Sequence, residues 1–389
     1  MSSPLRIAII GAGLAGLSLA RVLQLNGVYP TIYELDASPA SRNQGGILDM
    51  HVESGQHALK AAGLWDEFLK LVRPHGQEFR LIDKYAKVLI GMDGSSNTND
   101  SPEVDRGSLR QILLDSIEAG TIRWGTRVKS IKPAMPTGGS NTWTVVYNDD
   151  QEATYDLVIG ADGAWSRVRP LLSDAQPTYA GVTLVETRFE NVDSKHPEIA
   201  ELVGQGNAFI VSDGQCLLAQ RNGNGSIRNY VTFRIAEQDF PELKFSDPAS
   251  ARDYLLTKFS NWDESLKDLI RKCDDTIVPR PIYALPAPFT WKSVPGVTII
   301  GDAAHLMSPF AGEGANLAMY DGVELAAAIV DAQKTGKDLH VGIAEFEQKM
   351  YNFTSEKALL SASNLILFMS KETPQCIVDW FEGMHKNSD

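Results

Sequence analysis

The 389-residue chain has few cysteines, no block of positive charge and no long apolar run, and each lack closes off a class of function. Its three cysteines, Cys216, Cys273 and Cys376, are widely spaced and odd in number, so neither a disulfide framework nor a CxxC site is expected. No His, Cys, Asp or Glu cluster has metal-ligand spacing, and no metal is expected. Acidic residues outnumber basic ones to give a net charge of −13, and nothing concentrates Lys and Arg as a nucleic-acid partner would require. No apolar stretch approaches the ~20 residues that span a bilayer. The opening Met1-Ser2-Ser3-Pro4 runs directly into the apolar residues 5–10, unlike a signal peptide. A cytoplasmic monomer acting on a small molecule is the expectation.

What the chain does have is an ordered alternation of strand and helix signals. Residues 5–10 read as a buried strand, 14–26 as a helix and 31–34 as a second strand, a βαβ opening. A helical stretch is expected over 56–71, then a polar loop at 94–102, an extended 103–105 and a helix over 106–118. From about 174 to 280 the pattern changes to strands at 182–190, 207–212, 215–221 and 227–235, with Asp213-Gly214 and Asn222-Gly223-Asn224-Gly225 as turns. A buried strand returns at 297–300, followed by a Gly-rich turn and a helix to 333. Over 341–370, Ile343, Phe346, Met350, Phe353 and Leu360 recur at helical spacing, so one face of a last long helix should pack across the body.

Three motifs carry chemistry. The first is Gly11-Ala12-Gly13-Leu14-Ala15-Gly16 between strand and helix, with Glu34 ending the next strand. Its glycines allow a tight turn and close approach to a pyrophosphate, the helix start offers free N–H groups, and Glu34 can accept from a ribose hydroxyl. Alone, it does not distinguish one dinucleotide from another, or from a structural glycine turn. The second runs from Asp156 to Arg169: a buried strand, the turn Gly160-Ala161-Asp162-Gly163, then a helix start rich in Ser and Arg. Asp162 there reads either as a cofactor contact or as a helix cap. The third is Gly301-Asp302-Ala303-Ala304-His305, continuing to Pro309-Phe310-Ala311-Gly312-Glu313-Gly314-Ala315-Asn316. Asp302 at a strand end can accept from sugar-alcohol hydroxyls. The N–H groups of 312–316 can face the N1–C2=O edge of a flavin, where negative charge gathers on reduction. The three together point to FAD. His51 and His305 read as structurally satisfied side chains rather than general bases.

These stretches, in this order, resemble the fingerprints of the single-component (class A) flavoprotein monooxygenases, the family of p-hydroxybenzoate hydroxylase. Within it, Gln44-Gly45-Gly46-Ile47-Leu48-Asp49-Met50-His51, Ser54-Gly55-Gln56, Ala61-Ala62-Gly63-Leu64, Arg106-Gly107-Ser108-Leu109-Arg110 and Asn261-Trp262-Asp263-Glu264 resemble the tetracycline-inactivating, TetX-type monooxygenases. The fold so implied is α/β: a Rossmann-like FAD-binding domain of 1–73, 103–173 and 281–336, an inserted antiparallel β-sheet substrate domain of 74–102 and 174–280, and a C-terminal bridging helix within 337–389. The activity implied is NADPH-consuming hydroxylation of an aromatic or polyketide substrate by O2, through a flavin C4a-hydroperoxide, with tetracycline inactivation as the leading case.

The resemblance also implies site residues. FAD would be met by Gly11, Gly13, Ala15, Gly16, Glu34, Asp49, Arg106, Arg110, Asp162, Gly301, Asp302, Pro309, Gly312, Gly314, Ala315 and Asn316, and NADPH by Arg42. In the inserted sheet, Glu186, Ala208 and Asn229 occupy the places where the family presents Gln, Arg and His to the drug's polar edge. Phe310, Gly312, Asn364 and Phe368 would complete the substrate wall. No protein side chain is expected to be catalytic, since the flavin carries the chemistry. One departure is Leu35, where an Arg commonly follows the ribose-binding acid. Alternatives are a hydroxylase of another phenolic or polyketide metabolite, a non-oxygenating flavin oxidoreductase, a sequestering protein of the same fold, or an NAD-dependent dehydrogenase using the first motif alone.

Overall fold

The computed structural model describes residues 4–41, 45–73, 78–93, 101–134, 142–239 and 245–386. Its centre is a five-stranded parallel sheet ordered Val297–Ile299, Leu157–Gly160, Ile7–Ile10, Thr31–Tyr33, Ile122–Arg123. Ile7–Ile10 and Leu157–Gly160 are buried along their whole length, as a sheet covered on both faces requires. The crossover helix Leu14–Leu25 packs against the helix Gly314–Thr335 closely enough that a Cβ at Gly322 would stand 2.6 Å from the Ala15 carbonyl oxygen. Backbone against backbone cannot give way, so only glycine fits there.

The second layer is a seven-stranded sheet ordered Val278–Ala284, Thr178–Phe189, Ile227–Arg234, Gln215–Arg221, Asn207–Ser212, Phe79–Ile82, Val88–Met92. It is antiparallel except where Asn207–Ser212 runs parallel to Phe79–Ile82. The strands at 207–212 and 215–221 match their expected bounds because Asp213 and Gly214, both at positive φ, make the tight turn that pins their register. One face of this sheet packs on the helices Pro248–Lys258 and Glu264–Arg271 through Val185, Phe189, Ala208, Leu217, Val231 and Leu255. The other face packs on the last helices through Val211, Cys216, Ile282, Leu365 and Ile377.

Three expectations change. The stretch over 56–71 is not one helix but a π-turn, Val52–Gln56, and two short helices, His57–Ala61 and Trp65–Leu69, interrupted at Gly63 with φ of +66°. A three-stranded antiparallel sheet of Val128–Pro133, Trp143–Tyr147 and Gln151–Tyr155 adds to the first body and was not anticipated. The C-terminal region holds two helices, Leu339–Phe368 and Gln375–Lys386, the first capped by Asp338, whose carboxylate accepts from the Val341 N–H at 3.1 Å. Over its length Leu339–Phe368 passes from the first core, at Ile343, Phe346 and Met350, to the second sheet, at Leu365. No helix of the described residues is long and apolar enough to cross a membrane.

Gly322→Ala should lower stability by ~1–3 kcal/mol, the usual cost of overpacking a core, read as an earlier chemical denaturation midpoint.

Candidate flavin and substrate site

The carboxyl ends of three adjacent parallel strands bring the three motifs together. Gly11 takes φ of +107°, and a Cβ there would collide with the Ala161 carbonyl of the second motif, so only glycine lets these two turns touch. Glu34 is buried and uses both oxygens locally. Oε2 accepts from the Ala12 N–H at 2.6 Å and Oε1 from the Asp36 N–H at 2.8 Å, so the carboxylate holds the glycine turn in shape. Arg110, also buried, donates from Nε to the Ala12 carbonyl at 3.2 Å and from Nη1 to the Pro39 carbonyl at 3.3 Å. It braces the turn from behind, while Arg106 stands exposed at the start of its helix beside Gly45. Arg42 lies outside the described residues.

In the second motif the Asp162 Oδ2 accepts from the Arg167 N–H at 2.7 Å, and burial pushes its carboxyl pKa up. The expected helix is absent; a turn leads to the short 3-10 segment Arg169–Leu171. Arg169 is fully buried and donates to the Ala164 carbonyl at 2.6 Å and the Ala303 carbonyl at 3.0 Å, tying the second motif to the third. In the third, buried Asp321 accepts from the Gly301 N–H at 2.8 Å and pairs with His305 Nε2 at 2.6 Å. Burial disfavours a charged His305, but Asp321 outweighs it and raises the pKa of the ring. His305 is thus a structural partner of the turn. Pro309 opens the 3-10 turn that ends at Gly312, φ +68°. Beyond it Gly314 and Ala315 begin a helix, and the buried Asn316 donates to the Asp49 carbonyl at 2.8 Å and accepts from the His51 N–H at 3.0 Å.

Whether FAD suits this crevice can be judged from its own polar atoms. The helix Leu14–Leu25 begins at Gly13 with no side-chain cap and no acid in its first turn, and a Cβ at Gly13 would meet nothing within 4 Å. Its amide end and dipole are therefore open to an anion such as a pyrophosphate. The buried Asp162 Oδ1 has no hydrogen-bond partner among the described residues. Asp302 projects exposed beside Gly314, able to accept from hydroxyls. These groups suit the diphosphate and the sugar-alcohol hydroxyls of FAD.

On the substrate side the sheet assigns faces that differ from expectation. Side chains alternate along a strand, so Ala208 and Asn229 point away from the flavin crevice: Ala208 packs in the core under the outer helices, and Asn229 donates to the Leu269 carbonyl at 3.2 Å. Glu186 does face the crevice, buried and gripped by three arginines: Arg188 at 2.8 Å, Arg280 at 3.0 Å, and Arg228. Burial would raise its pKa, yet the guanidinium groups outweigh that and lower it. Tyr230, directly across from Glu186, reaches toward Gly46 together with Gln220. Arg228 and Tyr230, each one residue from Asn229, are the residues sequence reasoning missed, although strict strand alternation from Glu186 and its pairing would have indicated them. Phe368 lies between Phe310 and Phe209, its ring centroid 5.9 Å from each, in a continuous aromatic wall, and Asn364 fixes it by donating to the Phe310 carbonyl at 3.0 Å.

Asp302→Ala should reduce FAD retention at least several-fold in purified protein without changing its circular dichroism; undiminished flavin absorbance would mean that the carboxylate is not a cofactor contact. Asn229→Ala should cost ~1–3 kcal/mol of stability for its buried hydrogen bonds while leaving ligand affinity unchanged.

Known proteins agree with this architecture. A family model described as "FAD binding domain" matches residues 5–261 and 291–341. "Monooxygenase penA" of Penicillium thymicola is 33% identical over 370 residues, covering 84% of each chain. "Monooxygenase asqM" of Emericella nidulans is 31% identical over 432 residues, covering 95% of this chain and 97% of its own. Among solved structures, Klebsiella pneumoniae HpxO complexed with FAD and uric acid superposes with a TM-score of 0.78 at 20% identity, covering 98% of this chain and 93% of its own. The tetracycline destructase Tet(51) gives 0.72 at 20% identity, covering 96% and 93%. At such identity the structures speak for the fold alone, but the family match and the two monooxygenase relatives go further: the chain belongs to the FAD-binding monooxygenases of the aromatic-hydroxylase type.

Proposed function

We propose that the protein is a cytoplasmic, NADPH- and O2-consuming monooxygenase that places one oxygen atom on a phenolic or polyketide substrate entering as a phenolate or enolate. The observation that carries the substrate class is the crevice-facing cluster at Glu186. One carboxylate and three guanidinium groups leave a net charge of +2 on a wall that Tyr230 adjoins and Arg106 extends. A buried ionic cluster is a poor source of stability, and one with excess positive charge favours a ligand that neutralises it.

In this reading residues 1–73, 103–173 and 281–336 hold FAD, and 74–102 and 174–280 form the domain that reads the substrate. Gly11, Gly13, Ala15 and Gly16 present the helix amides to the pyrophosphate, with Glu34 and Arg110 shaping the turn. Asp302 and the 312–316 turn hold the polyol and ring, with Asp49 and Arg106 beside them. FAD, when bound, supplies the redox and oxygen-transfer chemistry. The protein orients the substrate ring against the Phe310 and Phe368 wall, fixes its anionic oxygen at Arg280 and Arg228, and excludes water from the crevice. An anionic oxygen enriches the adjacent ring carbons in electrons, which suits them to receive an electrophilic oxygen.

Tetracyclines, polyketides with acidic enols, remain within this class, and the run from Gln44 to His51 favours them. The polar edge of such a substrate would be read by Glu186, Arg228 and Tyr230 rather than by Ala208 and Asn229.

Product mass and NADPH oxidation should be followed across tetracyclines, anthraquinones and simple phenols under 18O2. The expected outcome is one labelled oxygen per turnover; an unlabelled product would sink the monooxygenase reading. O-methylation of the acidic hydroxyl should lower kcat/KM at least tenfold. Arg280→Gln, at a half-exposed position, should raise KM for the anionic substrate several-fold with little change in kcat, and an unaltered KM would remove the anion-binding role.

A further inference from the structure

The turn at Gly312 sits between two carboxylates, Asp49 and Glu313. Asp49, ending the strand Ile47–Asp49, lies so near that a Cβ on Gly312 would stand 3.3 Å from its Oδ1, and Glu313 is the next residue. His51 lies between the two. Its Nε2 is 2.9 Å from Asp49 Oδ2 and its Nδ1 is 3.1 Å from Glu313 Oε2. A carboxylate only accepts, so both ring nitrogens must carry hydrogen, and the ring is an imidazolium. The hydrogen bond to Asp49 and then that to Glu313 push its pKa up to about 10, against the opposing effect of burial. The other Glu313 oxygen takes Lys357 Nζ at 2.8 Å, and Lys357 also holds Glu53 at 2.6 Å. Glu103, the cross-strand partner of Asp49, is engaged elsewhere, by Arg73 at 3.0 Å and Asn207 at 2.7 Å.

We propose that His51 is a positioning residue and fixed cation that offsets Asp49 and Glu313 beside the Gly312 turn, so that the crevice tolerates the negative charge of reduced flavin. The inference rests on the reading that the 312–316 amides face the flavin ring. Without His51, Asp49 and Glu313 would stand near the edge where that charge gathers with only Lys357, itself shared with Glu53, against them, and like charges at such range repel. The backbone of His51 is tied to the same turn through Asn316, so the cation cannot drift from the pair it serves.

The test compares binding of oxidised and reduced FAD, measured as the midpoint potential of the purified holoprotein without substrate. His51→Gln keeps a hydrogen-bonding side chain but removes the charge. It should weaken binding of reduced relative to oxidised FAD about tenfold, a fall of about 30 mV for a two-electron couple. The double variant His51→Gln with Glu313→Gln should recover most of that fall. A structural role alone would weaken both redox forms equally, so an unmoved potential, or a fall that the double variant does not recover, overturns the proposal. If His51→Gln fails to retain FAD, Glu313→Gln alone decides: its potential should rise, and an unchanged or lower value overturns the idea. If Asp302→Ala also keeps full FAD content, the placement of the whole flavin site fails; if Asp302→Ala loses FAD while the His51→Gln potential stays put, only the charge-offset role falls.

Discussion

Parallel hydrogen bonding between Val297–Ile299, Leu157–Gly160 and Ile7–Ile10 is the constraint on which everything else depends. Because the three strands are adjacent and run the same way, their carboxyl ends lie side by side, and each is followed at once by a glycine-containing turn. In open α/β sheets this edge is where ligands bind. Three motifs far apart in sequence thus become one crevice, and no loop has to be long to reach it.

Buried polar side chains then weld the turns to one another. Glu34 joins strand end to glycine turn, Arg169 joins the second motif to the third, and Asp321 joins the third to the helix behind it. Each lies where an unmade hydrogen bond would cost more than a made one contributes, so each specifies a single arrangement rather than adding much net stability. The Glu186 cluster differs in kind. Three guanidinium groups meet one carboxylate on a sheet face where packing alone would favour apolar side chains.

Much of this was legible in the residues. The glycine turns and Asp302 follow from local chemistry, and the strands around Asp213-Gly214 follow from a turn that permits one register. What escaped depends on contacts that local pattern does not encode. Ala208 and Asn229 sit one place away from crevice-facing neighbours, and with a side-chain period of two that single step turns them to the opposite face. Trp143–Tyr147 is buried over most of its length, so it lacks the alternation that marks a half-exposed strand. The link from His51 to Glu313 spans 262 positions, and Lys357 carries no sign in its own helix of the carboxylates that meet it.

The helix Leu339–Phe368 is a 30-residue rod, roughly 45 Å long at 1.5 Å per residue. Its first half is clamped in the parallel-sheet core, and its last turns carry Asn364 and Phe368 against the second sheet. It therefore works as a gauge bar: the gap between the two sheets is set by the stiffness of one element rather than by the sum of many loops. A bulkier or smaller side chain on the final turn acts on the packing against the second sheet, at the far end of the bar from Ile343, Phe346 and Met350.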